Sequence, residues 1–227
     1  ALPIWQGVDD PSASVRLDLT PTGLHAQVLS PAGAIYVDPE RRGDAVRHVS
    51  YHRRDLRREH EFQCLVPGND LGGFQPAGDM FFQPAASGSS LRTYRLAVAA
   101  TAEYTQFHGG TVAAGQAAIV TAVNRVSGIL ETEVAIRLVL VANNQLLVYT
   151  NASTDPYSNA NANSLLTQNQ ANIDSVIGSA NYDLGHVFST AGGGLALLAG
   201  VCVTGEKAQG ETGQSQPVGD AFYVDFV

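Results

Sequence analysis

The 227 residues carry a formal net charge of -8, with 44% hydrophobic and only 15% charged letters. That length holds one large domain or two small ones with real cores, and the acidic balance excludes a nucleic-acid surface, which needs a basic footprint. The longest apolar run, about nine residues from Leu195 to Val203, falls far short of the roughly 18 to 20 that cross a bilayer, so no membrane partner is expected.

Abundant Gly, Ser, Thr, Asn and Gln beside few charges suit a secreted or extracellular protein, and no signal-peptide pattern opens the chain at Ala1. Val15-Arg16-Leu17-Asp18-Leu19 alternates apolar and polar letters. Leu24 to Leu29 and Ala34 to Val37 flank a Ser30-Pro31-Ala32-Gly33 turn, which predicts a β-hairpin. Val46 to Tyr51 and Phe62 to Val66 add two short strands. Seven of the eight arginines in residues 1–90 crowd between Arg41 and Arg58, interleaved with His48 and His52, and His60 follows. His48 and His52 have the i, i+4 spacing of a metal-binding helix. Val49 and Tyr51 favour a strand there, so a solvated basic face is expected instead. Pro, Ala, Ser and Gly from 84 to 91 read as a linker, because small polar letters bury too little surface to order themselves.

Past the linker, Tyr94 to Ala100 predicts a strand. From Val112 to Leu130 the apolar letters Ile119, Val123, Val126, Ile129 and Leu130 recur at three- and four-residue steps, as in a long amphipathic helix with Thr111 as its N-cap. Val134 to Val141 is nearly continuously apolar and β-branched, which predicts a strand buried on both faces. An asparagine-rich loop leads to a helix over Leu165 to Ile177 and strands at Leu184 to Ser189 and Leu195 to Ala199. The fold class is α+β overall: a small β-rich unit over 1–83, then an α/β half-domain over 92–227.

No Gly-x-Ser-x-Gly, no phosphate-binding loop and no His-Glu-x-x-His occurs in the sequence. Gly192-Gly193-Gly194 precedes a strand, not a helix, so it predicts no phosphate cradle. Cys64 and Cys202 match no Cys-x-x-Cys spacing; they form one disulfide or serve separate roles.

The runs from Tyr94 to Val141 ("YRLAVAATAEYTQFHGG…"), Asn181 to Gly210 ("NYDLGHVFSTAGGGLALLAGVCVTGEKAQG") and Gly219 to Val227 ("GDAFYVDFV") resemble, in that order, the N-terminal part of the catalytic domain of reprolysin-like zinc metalloproteases, within the metzincins. The resemblance covers about residues 92–227. It implies a mixed sheet whose antiparallel edge strand, Gly194, Leu195, Ala196, Leu197, Leu198 and Ala199, holds a peptide or protein substrate. It further implies that Glu103 and Asp183 match positions that hold a structural calcium in some relatives. Cys202 matches a cysteine whose partner lies beyond the zinc helix. The first unit is similar to the prodomain of such enzymes, with Cys64 as the candidate latency cysteine, although "FQCLVPG" lacks the usual latency motif.

In the family, a run like Asp220 to Val227 leads into the His-Glu-x-x-His helix. The sequence stops at Val227, so the expectation is that the zinc ligands and general base lie outside this span, in a missing C-terminal part of the catalytic domain. The chain by itself is then inactive, and zinc belongs to the intact enzyme. The competing expectation is a non-catalytic secreted peptide-binding or adhesion module derived from the same fold.

Overall fold

The computed structural model describes residues 4–56 and 90–219. Ten strands form two five-stranded sheets, an α+β arrangement. The first is an antiparallel meander of β1 (Ile4–Gln6), β2 (Ser14–Thr20), β3 (Gly23–Ser30), β4 (Gly33–Pro39) and β5 (His48–His52) in sequence order. The expected hairpin is β3–β4, closed at Ser30↔Gly33. Strand β5 begins at His48, not Val46, because the Asp44 carboxylate accepts the N–H groups of Val46 and Arg47 at 2.8 and 3.0 Å and turns them. The predicted strand at Phe62 to Val66, and nearly all of the linker, lie outside the described residues.

The second sheet has the order β7-β6-β8-β10-β9, from β6 (Arg92–Ala100), β7 (Ile136–Leu140), β8 (Leu184–Ser189), β9 (Gly193–Ala196) and β10 (Gly210–Gly213). Strands β7, β6, β8 and β10 run parallel, and β9 is antiparallel to β10. Strand β6 shows why: Leu96, Val98 and Ala100 point to one face and Ala97 and Ala99 to the other, the period of two of a strand buried on both faces. One face takes α2 (Val112–Val134) through Ala118, Ile119, Ala122 and Val123, together with Tyr104 from α1 (Ala102–Phe107). The other takes α3 (Ala162–Val176) through Leu165 and Ile173. Each fully buried Ile or Leu here contributes about 1.5–3 kcal/mol.

Thr111 caps α2 as expected, its Oγ1 accepting from the Ala114 N–H at 3.1 Å. The helix runs on through Val134 and stops where Ala135 turns left-handed at φ 53. Residues 136–140 therefore make a shorter strand than predicted, and it is the sheet's outermost one, only half-buried, rather than central. The expectation of burial on both faces fails because a run of apolar letters does not tell an edge from a centre. Similarly, the strand expected at Gly194 to Ala199 is Gly193–Ala196; Leu197, Leu198 and Ala199 lie past its end, and Ala199 takes φ 61. Lys207, the single lysine of the sequence, is buried beside β8. Its Nζ donates to the Ser179 carbonyl and to the Tyr182 carbonyl at 2.7 Å, and lies 4.3 Å from the centre of the Tyr182 ring.

The two sheets meet through α2. Across β2–β5, Arg16, Gln27, Tyr36 and Tyr51 stand in register as one row, with Asp18, His25 and Asp38 in the next. Both rows face the helix. Thr121 and Asn124 donate to the two oxygens of Asp18 at 2.6 and 3.0 Å, and Arg125 Nη2 donates to Asp38 Oδ1 at 2.6 Å. Arg16 pairs with Glu131, which also takes a two-pronged bond from Arg137 at 2.7 and 3.1 Å. A Cβ on Gly128 would stand 2.5 Å from Gln27 Oε1 and 2.7 Å from Arg16 Cδ, so a glycine is what lets the sheet approach.

Candidate functional site

Strand β9 is the far edge of the second sheet. It starts where Gly193, at φ 100, makes a backbone turn that a side chain would resist. On its inner side it pairs with β10 in the register Gly213↔Gly193 to Gly210↔Ala196, and the Leu197 N–H continues the ladder to the Gln209 carbonyl at 2.8 Å. Antiparallel ladders bond through alternate residues. With Leu197 bonding inward, Leu195 and Gly193 do the same, and Gly194 and Ala196 turn their N–H and C=O groups to the other side, where Gly194 is buried and Ala196 exposed. Among the described residues no strand covers that side. An open edge of this kind can take an extended chain by main-chain hydrogen bonds.

The strand runs into a loop that carries apolar side chains at its surface: Leu197, Leu198 (58% exposed), Val201 and Val203. The loop is nevertheless anchored, with Cys202 N–H donating to the Asp183 carbonyl at 2.9 Å and Val203 N–H to the Gly200 carbonyl at 2.9 Å. Cys202 is exposed, at φ 64, and carries a free thiol; Cys64 lies outside the described residues.

Beneath β9, a carboxylate sits inside the sheet. Glu211 on β10 stands between Leu195 of β9 and Val187 of β8 and is 1% exposed. Its Oε1 accepts from the Ser189 hydroxyl at 2.8 Å, and its Oε2 is buried without a hydrogen-bond partner among the described residues. Burial pushes its pKa up to about 7, the Ser189 bond only partly opposing. Gly213 makes room for the pair: a Cβ there would fall 2.1 Å from Ser189 Oγ and 2.4 Å from the Ala191 carbonyl oxygen. On the opposite face His186 Nε2 and Thr212 Oγ1 are 2.9 Å apart, and burial of the imidazole pushes its pKa down to about 4.

Glu103 and Asp183 do not come together. Asp183 precedes β8 and lies beside Arg95, which grips it from the side chain at 2.7 and 3.1 Å and from the main chain at 2.8 Å. Those bonds hold its carboxyl below the usual range. Glu103 sits in the first turn of α1, past the other end of β6; five residues of strand at about 3.3 Å each separate the two neighbourhoods.

The model of metallo-peptidase family M12B, reprolysin-like, matches residues 90–227, which span the whole second sheet and its helices. The chain belongs to this family. No curated protein matches it. Membership of M12B means a metallopeptidase-type function, a peptide or protein substrate and a metal cofactor, typically zinc.

The described residues do not fit that metal: no three His, Cys, Asp or Glu side chains among them gather to hold an ion. His25 is spent on Asp38 at 2.6 Å. The His108 ring is packed against Tyr104 and Phe107, and His186 faces Thr212. His48 and His52 lie on strand β5, as the sequence predicts, and not on a helix. What this M12B chain presents in the described residues is an antiparallel edge strand, β9, close to where the family resemblance places one. Strand β10 and Glu211 escaped notice, because Gly210-Glu211-Thr212-Gly213 contains no apolar letter from which to read a strand.

Proposed function

We propose that this chain supplies the substrate-holding half of a secreted, zinc-dependent metalloendopeptidase, with the β1–β5 unit as its propeptide. The observation that carries the reading is the outward main-chain edge of β9, exposed at Ala196, within a segment matched by the M12B family. An extended peptide adds to this edge antiparallel to β9, and its apolar side chains meet Leu197, Leu198, Val201 and Val203 on the adjoining loop. Peptide-bond hydrolysis itself is assigned to none of the residues described here, since no three His, Cys, Asp or Glu side chains among them gather to hold a metal. In the intact enzyme, zinc supplies a bound water of lowered pKa; the part played by β9 is to fix the scissile segment in one orientation.

The test is peptide binding to this chain by amide chemical-shift mapping and calorimetry. Extended, uncharged peptides are expected to shift the amides of Gly194 and Ala196 and to leave Leu195 less affected. Ala196→Pro removes one outward N–H, a substitution tolerated at a sheet edge, and should weaken binding about tenfold through the lost bond and the added ring. Peptides that leave β9 unshifted, or bind the variant equally well, would sink the reading.

A further inference from the structure

At the corner between α1 and α2 lies a half-open cavity of about 310 Å³, within the size range of small-molecule sites. Ala118 of α2, Pro39 at the end of β4 and Val218 give it an apolar lining. Three nitrogen-bearing side chains share it: His25 of β3, Arg42 of the loop after β4, and His108, which caps α1. The Arg42 guanidinium is fixed by one bond to the Phe107 carbonyl and lies 4.8 Å from the centre of the Phe107 ring; its other N–H groups have no acceptor among the described residues. His108 is 3% exposed, and its Nε2 is buried without a hydrogen-bond partner among the described residues. Burial, and then the charge of Arg42 beside it, push this imidazole down to about 3, the Pro217 carbonyl opposing. The carboxylate of the lining, Asp38, is already taken: Oδ1 accepts from His25 Nδ1 and Arg125 Nη2, both at 2.6 Å, and Oδ2 from Tyr51 at 2.7 Å. That leaves His25 Nε2, 3.5 Å from Thr22 Oγ1 and so at the outer limit of a hydrogen bond. A buried N–H without an acceptor is costly, and here one stands beside a guanidinium whose own donors are unspent.

We propose that this cavity is a binding site for a small organic carboxylate, held by Arg42 and His108, with Ala118, Pro39 and Val218 receiving its short apolar body. The planar guanidinium fork matches a carboxylate, and the apolar lining disfavours a compact, strongly hydrated ion such as phosphate. Two sources carry this chemistry, a free organic acid and the C-terminal carboxylate of a peptide. The inference stands on this cavity alone and is independent of peptide binding at β9.

The experiment titrates the full chain with sodium benzoate and with N-acetyl-dialanine, by calorimetry and by the imidazole resonances of the histidines. The acid that binds should do so with a dissociation constant on the order of a millimolar, as suits its size, and should shift the His108 ring. Binding of benzoate alone marks a free acid as the ligand; binding of N-acetyl-dialanine but not of its amide marks a peptide C-terminus. Arg42→Gln should weaken binding about tenfold or more, because a charged hydrogen bond is lost. Arg47→Gln, at an exposed side chain outside the cavity, should leave it unchanged. Ala118→Leu fills the cavity from α2 and should abolish binding; should it fail to fold, Arg42→Gln, at an exposed position, carries the test by itself. The proposal is overturned if neither acid binds saturably, if His108 stays unmoved, if the amide or inorganic phosphate binds as tightly, or if the Arg47 variant loses as much as the Arg42 variant.

Discussion

Replacing Glu211 with Gln should flatten one component of the chain's pH-dependent stability. In the unfolded chain this carboxyl gives up its proton near 4.5; inside the sheet it keeps it until about 7. The unfolded state therefore releases a proton more readily throughout that window, and folding loses stability as pH rises through it. At about 1.4 kcal/mol per pKa unit, the full penalty is about 3 kcal/mol, of which about 2.5 kcal/mol develops between about pH 5 and about pH 8. His186 and His108, whose burial pushes them down to about 4 and about 3, act with the opposite sign and lose stability as pH falls below 6.5. Neither changes in the variant, so subtracting its urea-unfolding free energies from those of the parent at each pH isolates Glu211. The difference should move by about 2.5 kcal/mol in favour of the variant toward alkaline pH. A difference constant to within about 0.5 kcal/mol would refute the assignment of Glu211 as a buried, proton-retaining group.

Gly213→Ala should cost about 1–3 kcal/mol by the same urea assay, because its Cβ would collide with Ser189 Oγ and the Ala191 carbonyl; an unchanged midpoint would count against the packing described at that corner. Lys207→Met keeps the apolar stem but drops two bonds to carbonyls and the contact with Tyr182. A loss of about 1–3 kcal/mol is expected, and stabilisation would show that the buried charge costs more than its partners return. In a Cys64→Ser background, Cys202 should react with a thiol-selective reagent as quickly in the folded chain as in denaturant. Strong protection would contradict its exposed position. Acid should weaken the contact of the first sheet with α2, since Asp38 has its carboxyl pulled down to about 2, burial being outweighed by His25 and Arg125. Stability from this group is complete above its ordinary value of 3.8 and is lost as pH falls through about 2, and Asp38→Asn should remove that limb.

The sequence made the periodic elements legible. The steps between Ile119, Val123 and Val126 placed α2 and its Thr111 cap, because one face of that helix meets an apolar sheet. The alternation of Val15 to Leu19 also announced a strand, but not which half of it would be covered. Alternation carries phase only when the neighbour is apolar, and here the neighbour is the polar flank of α2, so Arg16 and Asp18 are inside. Position within a sheet was equally hidden: Ile136–Leu140 reads like a central strand and lies at the rim. The edge strand was placed by the family resemblance, one residue from its start at Gly193 and three past its end at Ala196. Glu211 was invisible, since a lone acid between glycines looks like a surface turn until the strands on both sides close over it.

Lys207 has a consequence for labelling. With no other lysine in the sequence, and with this amine held by two carbonyls against an aromatic ring, acylating reagents find no side-chain amine to attack while the fold is closed. Acylation requires the Ser179–Tyr182 corner to lift away first. The rate at which Lys207 is modified thus reports how often β8 and its neighbours open, a clock for local unfolding in this part of the second sheet.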